Sequence, residues 1–151
     1  MPTLFDAPEL VSHQDYCPGN VVFRAGTPRA LIEFDLARPT TRVVDCVNAL
    51  YWWVPLLHPV DRPPSLTTAD AGHRVRVFAD AYGMSQEQRA QVLPVALRRA
   101  SNTDITMRAA AEVDAVFKRW WEEGIKDRMP RAEEWLEAEG AAIEAALLRA
   151  P

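Results

Sequence analysis

Cysteine is scarce in this chain. Cys17 and Cys46 are the only two in 151 residues. Two thiols with no regular spacing exclude a disulfide-stapled scaffold and point to a reducing compartment. Positive charge is also in short supply, with Lys+Arg at 17 against Asp+Glu at 21 and a formal net charge of -4. That balance argues against nucleic acid and anionic membrane as partners, since their binders usually present a basic face. Arg98-Arg99 is only a short basic pair. Long apolar runs are missing too. The most apolar stretch, Val47 to Leu57, is too short to cross a bilayer and contains Asn48 and Pro55. Met1 to Asp6 has neither the basic start nor the apolar run of a signal peptide. Repeats, heptads and low-complexity tracts are absent as well. The expectation is a cytoplasmic protein.

What is present suits one domain over 1–151. The hydrophobic fraction of 48% and charged fraction of 25% are ordinary for a globular fold. Of the 12 prolines, many cluster between Pro28 and Pro64. The first third therefore reads as strands and loops and the rest as helices, an α+β fold that is mostly α. Val21-Val22-Phe23 and Ala30-Leu31-Ile32 flank a Gly- and Pro-containing connector, which predicts a hairpin with a loop longer than two residues. Thr40 or Thr41 caps a helix through Val43, Val44, Val47, Leu50, Tyr51 and Val54, and Pro55 ends it. A second helix is expected from about Thr68 to Tyr82, with Gly83 at its end. Ser85-Gln86-Glu87-Gln88 has capping-box spacing and starts a third, with a kink or break near Leu93 before Pro94. Asp104 to Glu123 reads as a long helix closed by Gly124, and Pro130 to Arg149 as the last.

The chemistry is concentrated in His13-Gln14-Asp15-Tyr16-Cys17-Pro18-Gly19-Asn20 and Ile32-Glu33-Phe34-Asp35-Leu36-Ala37. An Asp, an Asn five residues on, and an acid after a short hairpin have the spacing of a kinase catalytic loop. Phosphoryl transfer needs a carboxylate that orients the attacking hydroxyl and accepts its proton. It also needs an amide oxygen and a second carboxylate to hold the magnesium ions that neutralise the triphosphate. The bland alternative for Asp15 and Asn20 is a capped turn before a hairpin, and for Glu33 a surface acid at a strand end.

These residues resemble the aminoglycoside phosphotransferase and choline kinase-like family, whose pattern reads H-G-D-x-x-x-x-N, a hairpin, I-D-[WF]-[DE]-x-A, then a helix with an Asp. This chain supplies His13-x-Asp15, Asn20, Ile32-Glu33-Phe34-Asp35-x-Ala37 and Asp45, over roughly Leu10 to Leu57. The resemblance implies a kinase-like C-terminal lobe: a short β-hairpin, then a helical bundle. It makes Asp15 and His13 the candidate catalytic positions, with His13, like Asp45, bracing the loop. Asn20 and Glu33 become candidate metal ligands, and Asp35 is a substitute if the strand continues and places it on the face of Glu33. ATP and Mg2+ are the implied cofactors and a small-molecule hydroxyl the implied substrate.

Three departures stand out. Gln14 replaces the family's Gly, and Cys17 a frequent His. Glu33 is one methylene longer than the usual Asp, which matters to a metal with strict octahedral geometry. Only twelve residues precede His13, where the family has its nucleotide-binding lobe, and the only lysines are Lys118 and Lys126. The N-terminal ATP lobe is therefore expected to be absent. Activity would then require a separate N-lobe chain or a homo-oligomer. The competing reading is a catalytically inactive domain kept as a binding or regulatory module. A remoter one is another reaction using Asp15 and His13 without ATP.

Other residues have duller readings. Cys17 lacks the companions of a thiol nucleophile, Cys46 is packing, and His58 and His73 are surface residues. Each of the pairs Trp52-Trp53 and Trp120-Trp121 is expected to place one ring in the core and leave the other partly exposed. The acids Glu133, Glu134, Glu137, Glu139 and Glu144 read as a solvated face. The resemblance offers late acids as binders of a cationic substrate.

Overall fold

A computed structural model describes residues 7–149. The reading of Met1 to Asp6 lies outside them. The chain divides into two compact units at Val54/Pro55, where the sequence reading expects one domain. It is mostly helical, with two short antiparallel strand pairs. Among the described residues, no helix is long and apolar enough to cross a membrane.

In the first unit, β1 (Leu10–Ser12) pairs with β4 (Arg38–Thr40), and β2 (Val21–Arg24) pairs with β3 (Thr27–Leu31). The β2–β3 loop is tighter than expected. Arg24 pairs with Thr27, so Ala25 and Gly26 alone make the turn, both at positive φ (50° and 74°). That is the handedness a two-residue hairpin requires. Pro28 is tolerated because the sheet has only two strands and β3 is an edge. The irregularity between Val22 and Phe23 takes up the extra residue.

Helix α1 (Arg42–Trp53) starts where the sequence says, with the Thr41 hydroxyl accepting from the Val44 N–H. Val43, Cys46, Val47, Leu50 and Tyr51 are its buried apolar stripe. Neither tryptophan of the Trp52-Trp53 pair is fully buried, and the same holds for Trp120-Trp121. The expected division into one core and one exposed ring is replaced by half-buried and exposed rings.

The second unit is helical. Helix α2 (Ala71–Tyr82) starts later than expected because Asp70, not Thr68, is the cap, and it ends on left-handed Gly83 as predicted. Helix α3 (Gln86–Val113) begins with the full Ser85/Gln88 capping box. It does not break at Pro94. Pro94 and Ala90 are both exposed, so the carbonyl that loses its donor faces solvent while Val92, Val95, Ala96 and Ala100 stay buried.

The break comes instead at Asp114, whose extended backbone ends α3. Its carboxylate then caps α4 (Ala115–Trp120) by accepting from Val116 and Phe117 N–H. A π turn over Trp121–Ile125 kinks at Gly124 (φ 132°) and leads straight into α5 (Lys126–Leu148). Pro130 is thus inside the first turns of α5 rather than at its start. Helix α5 packs against α2 and α3. Two glycines set those approaches: a Cβ on Gly140 would stand 2.8 Å from Leu93 Cδ2, and one on Gly72 3.3 Å from the Ala146 Cβ.

Candidate active-site loop

The Asp15 loop is held by hydrogen bonds that converge from three elements. Asn20 Nδ2 donates to the Asp15 carbonyl (3.1 Å) and to Asp15 Oδ2 (3.0 Å), while Asp15 Oδ1 accepts from the Cys17 N–H at 3.3 Å. The 3-10 turn Pro18–Asn20 makes this closure, as Pro-Gly suggests, with Asn20 N–H donating to the Cys17 carbonyl. Asp15 and Asn20 are therefore brought together directly.

His13 is only 4% exposed and uses both ring nitrogens. Nδ1 accepts from the Asp15 N–H at 3.3 Å, so Nε2 carries the proton and donates to the Ile32 carbonyl at 2.8 Å. Its ring lies edge-on to Phe34, with centroids 4.5 Å apart. The imidazole thus ties Asp15 to the end of β3.

Glu33 and Asp35 are placed differently. The Ile32 N–H donates to the Asn20 carbonyl at 3.0 Å, which sets Glu33 one residue beyond the point where the chain meets Asn20. There the strand stops. Glu33 is left-handed (φ 62°) and Phe34–Leu36 form a 3-10 turn, so Asp35 does not share a strand face with Glu33. Both acids are exposed, and no hydrogen bond joins either to the Asp15–Asn20 pair. Among the described residues, no three His, Cys, Asp or Glu side chains gather as a metal site.

The donor set still has the right chemistry for magnesium. Asn20 turns its amide nitrogen to Asp15, which leaves Oδ1 as a hard oxygen donor, and Glu33 adds a carboxylate. Magnesium commonly takes one or two protein oxygens plus waters and substrate phosphates, so a full protein cage is not needed.

Helix α1 grips the loop from one side. Asp45 Oδ1 accepts from the Tyr16 hydroxyl at 2.5 Å, and Trp53 Nε1 donates to the Tyr16 carbonyl at 2.8 Å. Burial, followed by the Asp45 hydrogen bond and its charge, pushes the Tyr16 phenol up to about 12, so it stays a neutral donor at any physiological pH. Burial is likewise the main cause that raises the Cys17 thiol, against the activation a nucleophile would need. The sequence reading gives Tyr16 and Asn48 no role at this site and treats Trp53 only as one of a packing pair. A polar Asn48 inside the apolar stripe of α1 was the available signal, since a buried amide needs a partner.

Asn48 finds that partner in Gln14. Gln14 Oε1 accepts from Asn48 Nδ2 (3.1 Å) and from Arg38 Nε (3.3 Å). Both neighbours are donors, so the oxygen must face them, and Nε2 is left buried without a partner. The backbone of Gln14 is left-handed at φ 70°. A glycine would take that conformation freely, which gives a physical reason for the family's Gly here. Gln14→Gly is expected to be more stable than Gln14→Ala by about 1 kcal/mol, because both lose the amide but only Ala keeps the strain. Paired urea denaturation checks this, and equal midpoints would contradict it.

The family model described as the phosphotransferase enzyme family matches residues 1–78, just over half of the chain and all of this loop. The chain belongs to the phosphotransferase enzyme family. A trifolitoxin immunity protein from Rhizobium leguminosarum bv. trifolii is 29% identical over 89 residues, which are 57% of this chain and 34% of that protein. The chain therefore spans about a third of that relative's length. No solved structure matches the chain. In this phosphotransferase-family chain, the motif residues whose side chains form hydrogen bonds given above are His13, Asp15 and Asn20 of the loop, with Asp45 behind them.

Proposed function

We propose that this chain is the catalytic-loop portion of an ATP- and Mg2+-dependent phosphotransferase acting on a small-molecule hydroxyl. The observation that carries the reading is the closed Asp15–Asn20 pair, with Nδ2 to Oδ2 at 3.0 Å, inside a family match over residues 1–78. Asp15 orients the acceptor hydroxyl and takes its proton. Asn20 holds Asp15 and offers its amide oxygen, and Glu33 a carboxylate, to magnesium, which when bound neutralises the triphosphate. His13, Tyr16, Asp45 and Trp53 keep the loop from relaxing, and preorganisation of this kind supplies much of the rate. Both lysines lie on the helices α4 and α5, and no Gly-rich phosphate loop precedes His13. Part of the nucleotide's contacts then comes from outside residues 7–149.

A second reading has its own support. Exposed, left-handed Glu33 stands in the metal-ligand position without contact to Asp15 or Asn20, which suits a catalytically inactive module kept for binding. The 29% identical relative carries the name of an immunity protein, a protective role that such a module could also fill.

Thermal unfolding with and without Mg-ATP, paired with sedimentation, separates the two. Ligand at about ten times Kd stabilises by about 1.4 kcal/mol, a rise of roughly 3–6 °C for a chain of this size. The enzyme reading expects that rise, its loss in Asp15→Asn, and a larger rise in Glu33→Asp. No shift in any assembly state, with Glu33→Asp also silent, leaves the binding module.

A further inference from the structure

Two buried arginines in the second unit hold backbone carbonyls, and they differ in what meets their charge. Arg89 (9% exposed) donates to the Met84 and Leu147 carbonyls and to Asp80 Oδ1 at 2.7 Å. Arg62 (8% exposed) donates from Nε to the Leu57 carbonyl (2.8 Å) and from Nη1 to the Ala69 carbonyl (3.0 Å), and no carboxylate pairs with it among the described residues. The acid next to it in sequence, Asp61, is taken by Arg131 in a two-pronged pair at 2.9 and 2.6 Å. Burial lowers the Arg62 pKa and no acid offsets the shift. Proteins rarely bury a guanidinium without a counter-charge, because its desolvation is then uncompensated.

Arg62 lies on the wall of an open groove of about 850 Å³, within the size range of small-molecule sites. Its guanidinium sits 4.8 Å over the Trp135 ring, and Ile143 and Ala146 supply apolar wall. Arg149 adds positive charge, while Arg76 is engaged with Asp80 at 3.6 Å. The groove acids are mostly committed: Asp80 bonds Arg89 and Arg76, and Asp70 caps α2 by accepting from the His73 N–H. Glu139 is the remaining lining carboxylate.

We propose that this groove binds a small organic oxyanion, a carboxylate or a phosphate ester, through the Nη2 edge of Arg62, with the ligand's apolar part against Ile143. Arg62 presents a planar donor fork already fixed by two carbonyls, the preorganised form of oxyanion recognition. The site is independent of any phosphoryl transfer in the first unit.

The test follows Arg62 Nε–H and Trp135 Nε1–H by NMR in the full chain, while inorganic phosphate or benzoate is titrated at constant ionic strength. Saturation by either probe, with Kd on the order of 1 mM, is expected, and which one saturates identifies the oxyanion class. Arg62→Lys should weaken that binding about tenfold. Glu139→Gln, an exposed change that leaves the fold alone, should tighten it about twofold by removing a repelling charge. Absence of saturation with both probes would leave Arg62 as a carbonyl staple only and overturn the site. So would binding that neither variant changes.

Discussion

Replacing Arg89 by alanine is expected to lower unfolding free energy by about 3 kcal/mol, which for a chain of this size is roughly 6–12 °C in Tm. The effect follows from what the guanidinium touches. Its Nη1 donates to the Leu147 carbonyl at 3.2 Å, in the last turn of α5, where carbonyls have no partner within the helix. Its Nε donates to the Met84 carbonyl (3.0 Å), just past the Gly83 cap of α2. Alanine strands both carbonyls in a region where Met84 and Leu147 are buried. Asp80 contributes less to the loss, because it is exposed and returns to water. Even so, its hydrogen bond to Arg89 is the main reason its carboxyl lies below the usual range. Arg89→Lys keeps a charge near Asp80 but cannot reach three acceptors in one plane, so it should recover under half of the loss. Calorimetry of the three proteins decides it. An alanine variant within about 1 kcal/mol of the parent would mean the carbonyls are satisfied in another way.

His13→Ala is expected to cost about 2–3 kcal/mol and to loosen the Asp15 loop specifically. The imidazole is buried, and its removal leaves the Ile32 carbonyl without its donor and the Asp15 N–H without its acceptor. It also opens space beside Phe34. Amide exchange should quicken most at Asp15, Cys17 and Asn20, while the Thr41-capped start of α1 remains protected. His13→Asn, shorter but with a donor and an acceptor, should restore part of the protection. Loss of stability without faster exchange in the loop would reduce His13 to ordinary packing.

The legible parts of the fold were those with local causes. Thr41, the Ser85–Gln88 box and Gly83 announce helix ends because a cap bonds to its own next turn. The hairpin was visible, but its loop was overestimated. Ala25 at positive φ carries no residue signal, and Pro28 suggested loop where an edge strand accepts it. Pro94 misled in the opposite direction, since a local rule predicts a break and burial of Val92, Val95 and Ala96 against the neighbouring helices overrides it. Asp114 falls inside the expected Asp104–Glu123 helix, although an Asp that caps a new helix is a recognisable stop.

The candidate site divides the same way. The sequence alone determined the family and the order His13, Asp15, Asn20, Glu33 and Asp45, because motif spacing is written along the chain. It also determined that the described residues would be mostly helix, through the apolar period. Only the tertiary structure decided that Asn20 closes on Asp15 and that both His13 nitrogens are used. The same is true of left-handed Gln14 and Glu33, and of Asp35, which turns away with the 3-10 turn. It also decided that Arg89 meets a carboxylate while Arg62 faces a groove. These outcomes depend on partners up to 70 residues apart in sequence. A hydrogen bond between distant residues depends on where packing brings them, and residue spacing does not encode that.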